Sequence, residues 1–188
     1  MSASGLACGA AQAEPPRARP AATLHWLGLG AVALVVQVAL IYGLASTSSG
    51  KSWLPLLLPI AHLLLLPFLL RNLSFWGIRL ILLGLLLNLA AMLANGGLMP
   101  VESAAVEAVG RQQSAELKPG EHIPGSKNVL VEAKTVHLRA LSDVLVLPVR
   151  RPFTRAVSVG DLLVLVGAVI AYIEVARRRG VPMEIANE

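Results

Sequence analysis

Gln37, His62 and Asn88 are the residues of this chain best placed to do chemistry in an apolar setting, because each interrupts a long apolar run. At about 1.5 Å of rise per residue, all three fall within roughly 5 Å of the middle of their runs. Two amides and an imidazole at one depth predict a shared hydrogen-bonded cluster. Such a cluster either joins helices or handles a proton, an ion or a small polar solute. The joining role needs nothing beyond the side chains themselves. The handling role also needs a path to them.

Other chemistries find less support in the sequence. Haem ligation by His62 needs a second histidine at its depth, and His25 lies at the end of the first run instead. Glu121, His122 and His137 fall in a polar segment, at separations that fit no zinc-ligand pattern. No metal and no cofactor are expected. Cys8, the only cysteine, lies outside the apolar runs, which also carry no paired carboxylates and no glycine-framed serine nucleophile. The expectation is a protein that is not an enzyme. Ser158-Val159-Gly160-Asp161 reads as a capping box that opens a helix, with Asp161 complementing the helix dipole. The net charge of +5 comes from few acids and from arginines that flank apolar runs. Those flanks attract the anionic head groups of membrane lipids. No basic face with interleaved aromatics accompanies them, so nucleic acid is not expected as a partner.

The elements that must position these residues follow from composition. The 188 residues are 55% hydrophobic and 14% charged, against about 45–50% and roughly 25% in soluble domains. The excess is gathered into runs, and about 20 apolar residues of helix cross a hydrocarbon layer. Backbone groups in lipid must bond internally, so the runs are read as helices. The reading is an all-α membrane protein with four transmembrane helices, at residues 24–45, 53–72, 75–95 and 158–177. Residues 1–23 read as a disordered cytoplasmic tail and 178–188 as a cytoplasmic tail. Residues 96–157 read as an extracytoplasmic loop. The orientation, with both termini in the cytoplasm of a multi-pass protein, rests on Arg17, Arg19, Arg71, Arg79 and Arg177–Arg179. The loop has basic residues of its own, but long loops translocate largely regardless of charge.

Within the third run, Gly84, Asn88, Ala91 and Asn95 share one helical stripe and predict the face turned toward other helices. Gly30, Ala33 and Gln37 do the same in the first run, and Gly160, Gly167, Ala171 and Glu174 in the fourth. Asn95-Gly96-Gly97 followed by Pro100 predicts a helix stop, with Gly96 in the left-handed region. In the loop, "VESAAVEAV" suits a short helix and Val129–Val131 a short strand. Leu138, Leu141 and Leu145 at helical spacing predict an interfacial helix across residues 135–147.

"GLLLN" at 84–88, "NGGLMPV" at 95–101, "LSDVLVLP" at 141–148 and "SVGD" at 158–161 together resemble the DUF5317 family of bacterial membrane proteins. The blocks occur in the family's order, and Asn-Gly-Gly-x-Met-Pro is the most specific of them. Leu98 departs from the aromatic or basic residue expected there. The resemblance implies a multi-pass protein of a bacterial inner membrane and no particular reaction. It marks Asn88, Asn95, Gly96, Gly97, Met99, Pro100, Asp143, Ser158, Gly160 and Asp161 as the positions to examine. Two function classes follow. One is a non-enzymatic membrane module or accessory subunit that binds a membrane protein partner or lipid. The alternative is a small-solute or ion carrier using the midplane cluster.

Overall fold

The computed structural model describes residues 23–44, 47–109, 117–124, 126–147 and 155–179. The tails expected at 1–23 and 178–188 lie almost wholly outside the described residues. The chain is mostly helical. Its long helices are α1 (Leu27–Tyr42), α2 (Ser48–Leu63), the short α3 (Leu66–Arg71), α4 (Trp76–Ala94) and α6 (Val159–Arg178). Between α4 and α6 lie β1 (Met99–Glu102), α5 (Ser103–Val109), β2 (Asn128–Val131), β3 (Leu145–Leu147) and β4 (Arg155–Val157).

Among the described residues, three helices, rather than the four expected, are long and apolar enough to cross a membrane: Gly50–Arg71, Trp76–Ala94 and Val159–Arg178. The difference falls on α1, whose 16 residues reach only about 24 Å at 1.5 Å each. Its apolar run is longer than its helix, because Leu24–Trp26 precede it as a turn with Trp26 in the left-handed region at φ 58°. The first of these candidate spans, Gly50–Arg71, is α2 and α3 together. Pro55 and Pro59 sit inside α2, and a turn at Leu64–Leu65 precedes the restart at Leu66, with Pro67 in its first turn. Proline is tolerated there because neighbouring groups can meet the freed carbonyls.

Contacts set α1, the joined α2 and α3, α4 and α6 side by side, each antiparallel to the one before. Gly30 of α1 lies against the Phe68 ring of α3, while Leu40 and Ile41 pack with Leu54 and Leu58 near the start of α2. Leu54 and Leu58 in turn meet Ala91 and Met92 near the end of α4, and Leu69 meets Ile78 near its start. Gly77 and Gly84 of α4 lie against Gly167 and Gly160 of α6. The small-residue stripes do face other helices: Gly84, Asn88, Ala91, Gly160, Gly167, Ala171 and Ala33 are all buried.

The described residues between 99 and 157 add a small α/β cap over one end of the bundle. β1 and β2 are parallel neighbours, Met99 opposite Asn128 through Glu102 opposite Val131, with α5 in the connection between them. β3 and β4 form an antiparallel pair. Val101, Ala105, Val106, Ile123 and Leu130 make the cap's own core. The chain is therefore not purely helical. The interfacial helix expected over 135–147 is also absent, replaced by a 3₁₀ turn at Arg139–Leu141 and then by β3. The cause is local. Asn95 holds His137 through its backbone, Leu138 stands at φ 54°, and the Asp143 N–H is taken by the Pro100 carbonyl. A continuous helix satisfies none of these. Leu138 and Leu145 are consequently exposed.

Candidate functional site

The site is built where α6 begins. Ser158 is its N-cap: the hydroxyl accepts from the Asp161 N–H at 2.9 Å, and the Asp161 carboxylate accepts from the Ser158 N–H at 3.4 Å. This is the capping box read from the sequence. Antiparallel packing sets Ser158 and Asp161 beside Asn88, six residues before the end of α4. At 1.5 Å per residue, α6 therefore starts roughly 9 Å inside the end of its neighbour. The cap's polar groups descend into that step.

Four side chains close the first ring. Asn88 donates from Nδ2 to Asp161 Oδ1 at 2.6 Å and accepts at Oδ1 from the Ser158 hydroxyl at 2.8 Å. Lys127, at the mouth of β2, places its ammonium 2.9 and 2.8 Å from the two oxygens of Asp161. A second carboxylate, Asp143, lies 3.9 Å from the same ammonium. Asn128 donates to Asp143 Oδ2 at 2.7 Å. The backbone seats both loop residues: Met99 N–H donates to the Lys127 carbonyl, and Asp143 N–H to the Pro100 carbonyl. Ser158 and Asp143 are almost completely buried.

Electrostatics separate the groups of this network that lie outside the helices. For Asp143, burial is the largest influence and raises its carboxyl to about 6; Lys127 and Asn128 pull it down and Asp161 pushes it up. For Lys127, burial acts against the charge, yet Asp143 and Asp161 overcome it and hold the ammonium above its ordinary range. Lys127 is thus a fixed cation, unavailable as a base at neutral pH. Nearby, Glu102 at the end of β1 is gripped by the Arg139 guanidinium, with Nη2 to Oε2 at 2.8 Å and a second bond from Nε to Oε1. Hydrogen bonding to Arg139 holds the Glu102 carboxyl below its ordinary range.

The expected midplane cluster does not form. Gln37 donates to the Ala61 carbonyl at 3.1 Å, His62 Nδ1 pairs with the Leu58 carbonyl at 2.9 Å, and Asn88 is engaged by Ser158 and Asp161. The shared depth is real for sequence spacing, but helix rotation sends each side chain to a different partner. His62 remains within electrostatic reach of Lys127 and Asp161.

The positions marked by family motif fare differently, since most of them meet at one place. Asn88, Met99, Pro100, Asp143, Ser158 and Asp161 all belong to the network or to the backbone that seats it. Gly160 is there because a Cβ would overlap the Asn88 amide. Asn95, Gly96 and Gly97 close α4 beside it. Gly96 and Gly97 stand at φ 80° and 92°, and the Gly97 N–H returns to the Met92 carbonyl at 2.7 Å. This is the six-to-one bond of a Schellman stop. Asn95 clips the cap to the helix end, donating to the Ala91 and His137 carbonyls and accepting from His137 N–H.

Sequence reasoning passed over Lys127 and Asn128. Lys127 is one of several basic residues in a polar segment, and no local spacing singles it out. Two clips at the opposite end of the bundle were missed as well. Glu174 accepts from the N–H groups of Trp76 and Gly77 at 3.1 and 2.9 Å, capping α4 from α6. Asn72, fully buried, donates to the His25 and Phe68 carbonyls and accepts from His25 N–H. Among the described residues, no group of three or more His, Cys, Asp or Glu side chains is placed to hold a metal ion.

A family model described as a family of unknown function, DUF5317, matches residues 21–173. No curated protein and no solved structure matches the chain.

Proposed function

Since the chain belongs to the DUF5317 family, whose function is undefined, we propose from the site itself that it is a non-enzymatic integral-membrane module. Its cap would offer a fixed surface to a membrane protein partner or to lipid. One observation carries the reading: Lys127 bonds both oxygens of Asp161, so these two charges are engaged in fastening the cap to the bundle. A general base or nucleophile needs a side chain free to react. Here the lysine is held charged, and the Ser158 hydroxyl is buried between Asn88 and the Asp161 N–H.

The module has four crossings in this reading, with α1 as the fourth, its 16-residue helix continued by the apolar residues Leu24 and Trp26 before it and by Leu44 after it. Its place is the inner membrane of a bacterium, with both termini cytoplasmic and the cap outside. The arginine end of the bundle supports that orientation: Arg79 stacks on Trp76 and Arg178 on Phe75, each 4.5 Å from the ring centre. Such a belt of exposed Trp26, Trp76, Tyr172 and arginine suits an interface rich in anionic head groups.

Purification of the full chain from native membranes with its lipids retained, followed by mass spectrometry, tests the proposal. A stoichiometric protein partner or a tightly held lipid is the expected result. A small polar solute that co-purifies, with neither of those, would instead support the carrier alternative.

A further inference from the structure

Asp143 is the one group of the network whose hydrogen bonding is incomplete. It is 1% exposed, and its Oδ2 accepts from Asn128. Its Oδ1 is buried without a hydrogen bond. The nearest cation, Lys127, is 3.9 Å away and directs its short bonds to Asp161. Two carboxylates therefore share one ammonium, and the pair's surplus negative charge rests on the more buried of the two. An ionised carboxylate in such a place lacks the solvation or pairing that would compensate its burial.

We propose that Asp143 is a proton-binding site. A proton from solvent forms an O–H bond at Oδ1, neutralises the surplus charge of the Lys127–Asp143–Asp161 cluster and seats the cap more firmly on the bundle. Only the long Lys127–Asp143 ion pair, at 3.9 Å, is given up. The Asn128 bond to Oδ2, the Asp143 N–H bond to Pro100 and the Lys127–Asp161 pair all survive.

The charged groups facing Asp143 are Lys127 ahead of β2 and Asp161 on α6. β1 contributes the Pro100 carbonyl, and α4 contributes only the neutral Asn88 to the same network. His62 on α2 lies within electrostatic reach of Lys127 and Asp161. Burial raises the carboxyl from 3.8 to about 6, which brings its titration near physiological pH. The folded value lies above the unfolded one, so the folded state binds the proton more tightly. Stability from this group is accordingly full below the unfolded value. It declines as pH rises through about 6 and is level above that. The proposal rests on the network alone and stands whether or not the module reading does.

The test uses the full chain in lipid nanodiscs. Infrared spectra recorded from about pH 8 down to about pH 5 should show a protonated-carboxyl band growing in near the middle of that range, and Asp143→Asn should lack it. Asn128→Leu removes a bond that favours the carboxylate, so the midpoint should move to higher pH in that variant. Thermal unfolding of the wild type should shift upward by a few degrees over the same acidification, and Asp143→Asn should lose that shift. A band that appears only in the ordinary carboxylate range, or that persists unchanged in Asp143→Asn, overturns the assignment. Should Asp143→Asn fail to fold, the wild-type midpoint and its displacement in Asn128→Leu decide the matter: a midpoint near pH 6 that moves supports the site, and one that does not move refutes it.

Discussion

At the scale of single residues, Asn88 carries more than the joining role its position in a leucine run predicts. It bridges the N-cap serine and the first-turn aspartate of another helix. Replacing it with leucine strands the Ser158 hydroxyl in a site with no exposure. The expected loss is about 1–3 kcal/mol, the cost of an unpaired buried polar group. An ordinary interhelical bond in a membrane averages only about 0.6 kcal/mol. Reversible unfolding of Asn88→Leu in mixed micelles distinguishes the two values. The two glycines at the stop of α4 differ in the same measurable way. At Gly96 a Cβ meets open space, so Gly96→Ala should cost only the strain of its positive φ, on the order of 1 kcal/mol. At Gly97 the strain is joined by a collision with the backbone of Pro55. The Gly97→Ala loss should clearly exceed that of Gly96→Ala, and equal losses would refute the close approach. Pro59 explains why the Pro55 carbonyl is available there, since a proline has no N–H to give it.

At the scale of elements, the α4–α6 pair is the axis of the molecule. Gly77 and Gly84 face Gly167 and Gly160, and a Cβ at any of the four would strike backbone of the opposite helix. The helices approach closely because these residues are small, and the approach brings Asp161 within reach of Asn88. Gly160→Ala should push the helices apart at the site and cost about 1–3 kcal/mol, as overpacking does. The same change should weaken cap docking, read as faster amide hydrogen exchange at Asp143 and Met99. At the other end, Glu174→Gln should have a smaller effect, about 0.3–1 kcal/mol, because it removes the charge at the α4 N-terminus and leaves an acceptor. The sequence marked the glycine stripes by period. It gave no sign that Glu174 caps a different helix, because the two residues it caps lie almost a hundred positions away.

At the scale of the whole molecule, the antiparallel bundle sends the cap and the arginine end to opposite ends of the helices. If the helices cross, the two ends face different compartments. Single cysteines at Ser114 and Ala186, with Cys8 replaced by serine, should then label from opposite sides of the membrane. Ser114 should react first in intact cells. Labelling of Ser114 only after permeabilisation would reverse the proposed orientation.

What the sequence determined by itself is what local physics fixes. The apolar runs dictate helices because backbone groups in lipid need internal partners. Asn95-Gly96-Gly97 dictates a stop because glycine enters the left-handed region without strain. Ser158 and Asp161 dictate a cap because three residues is the reach of that box. Even the buried face of α4 was legible from Gly84, Asn88 and Ala91. Helix rotation was not legible, and it sent Gln37, His62 and Asn88 to separate partners. The fate of residues 135–147 was not legible either. Their leucines have helical spacing, but Pro100 and Asn95 claim their backbone from far along the chain, and β4 pairs with residues 145–147. Lys127 is the clearest case. Nothing near it names a partner, and only the offset between α4 and α6 opens the step in which it meets Asp161 and Asp143. Contacts of long sequence separation are chosen by packing geometry, which a one-dimensional pattern does not carry.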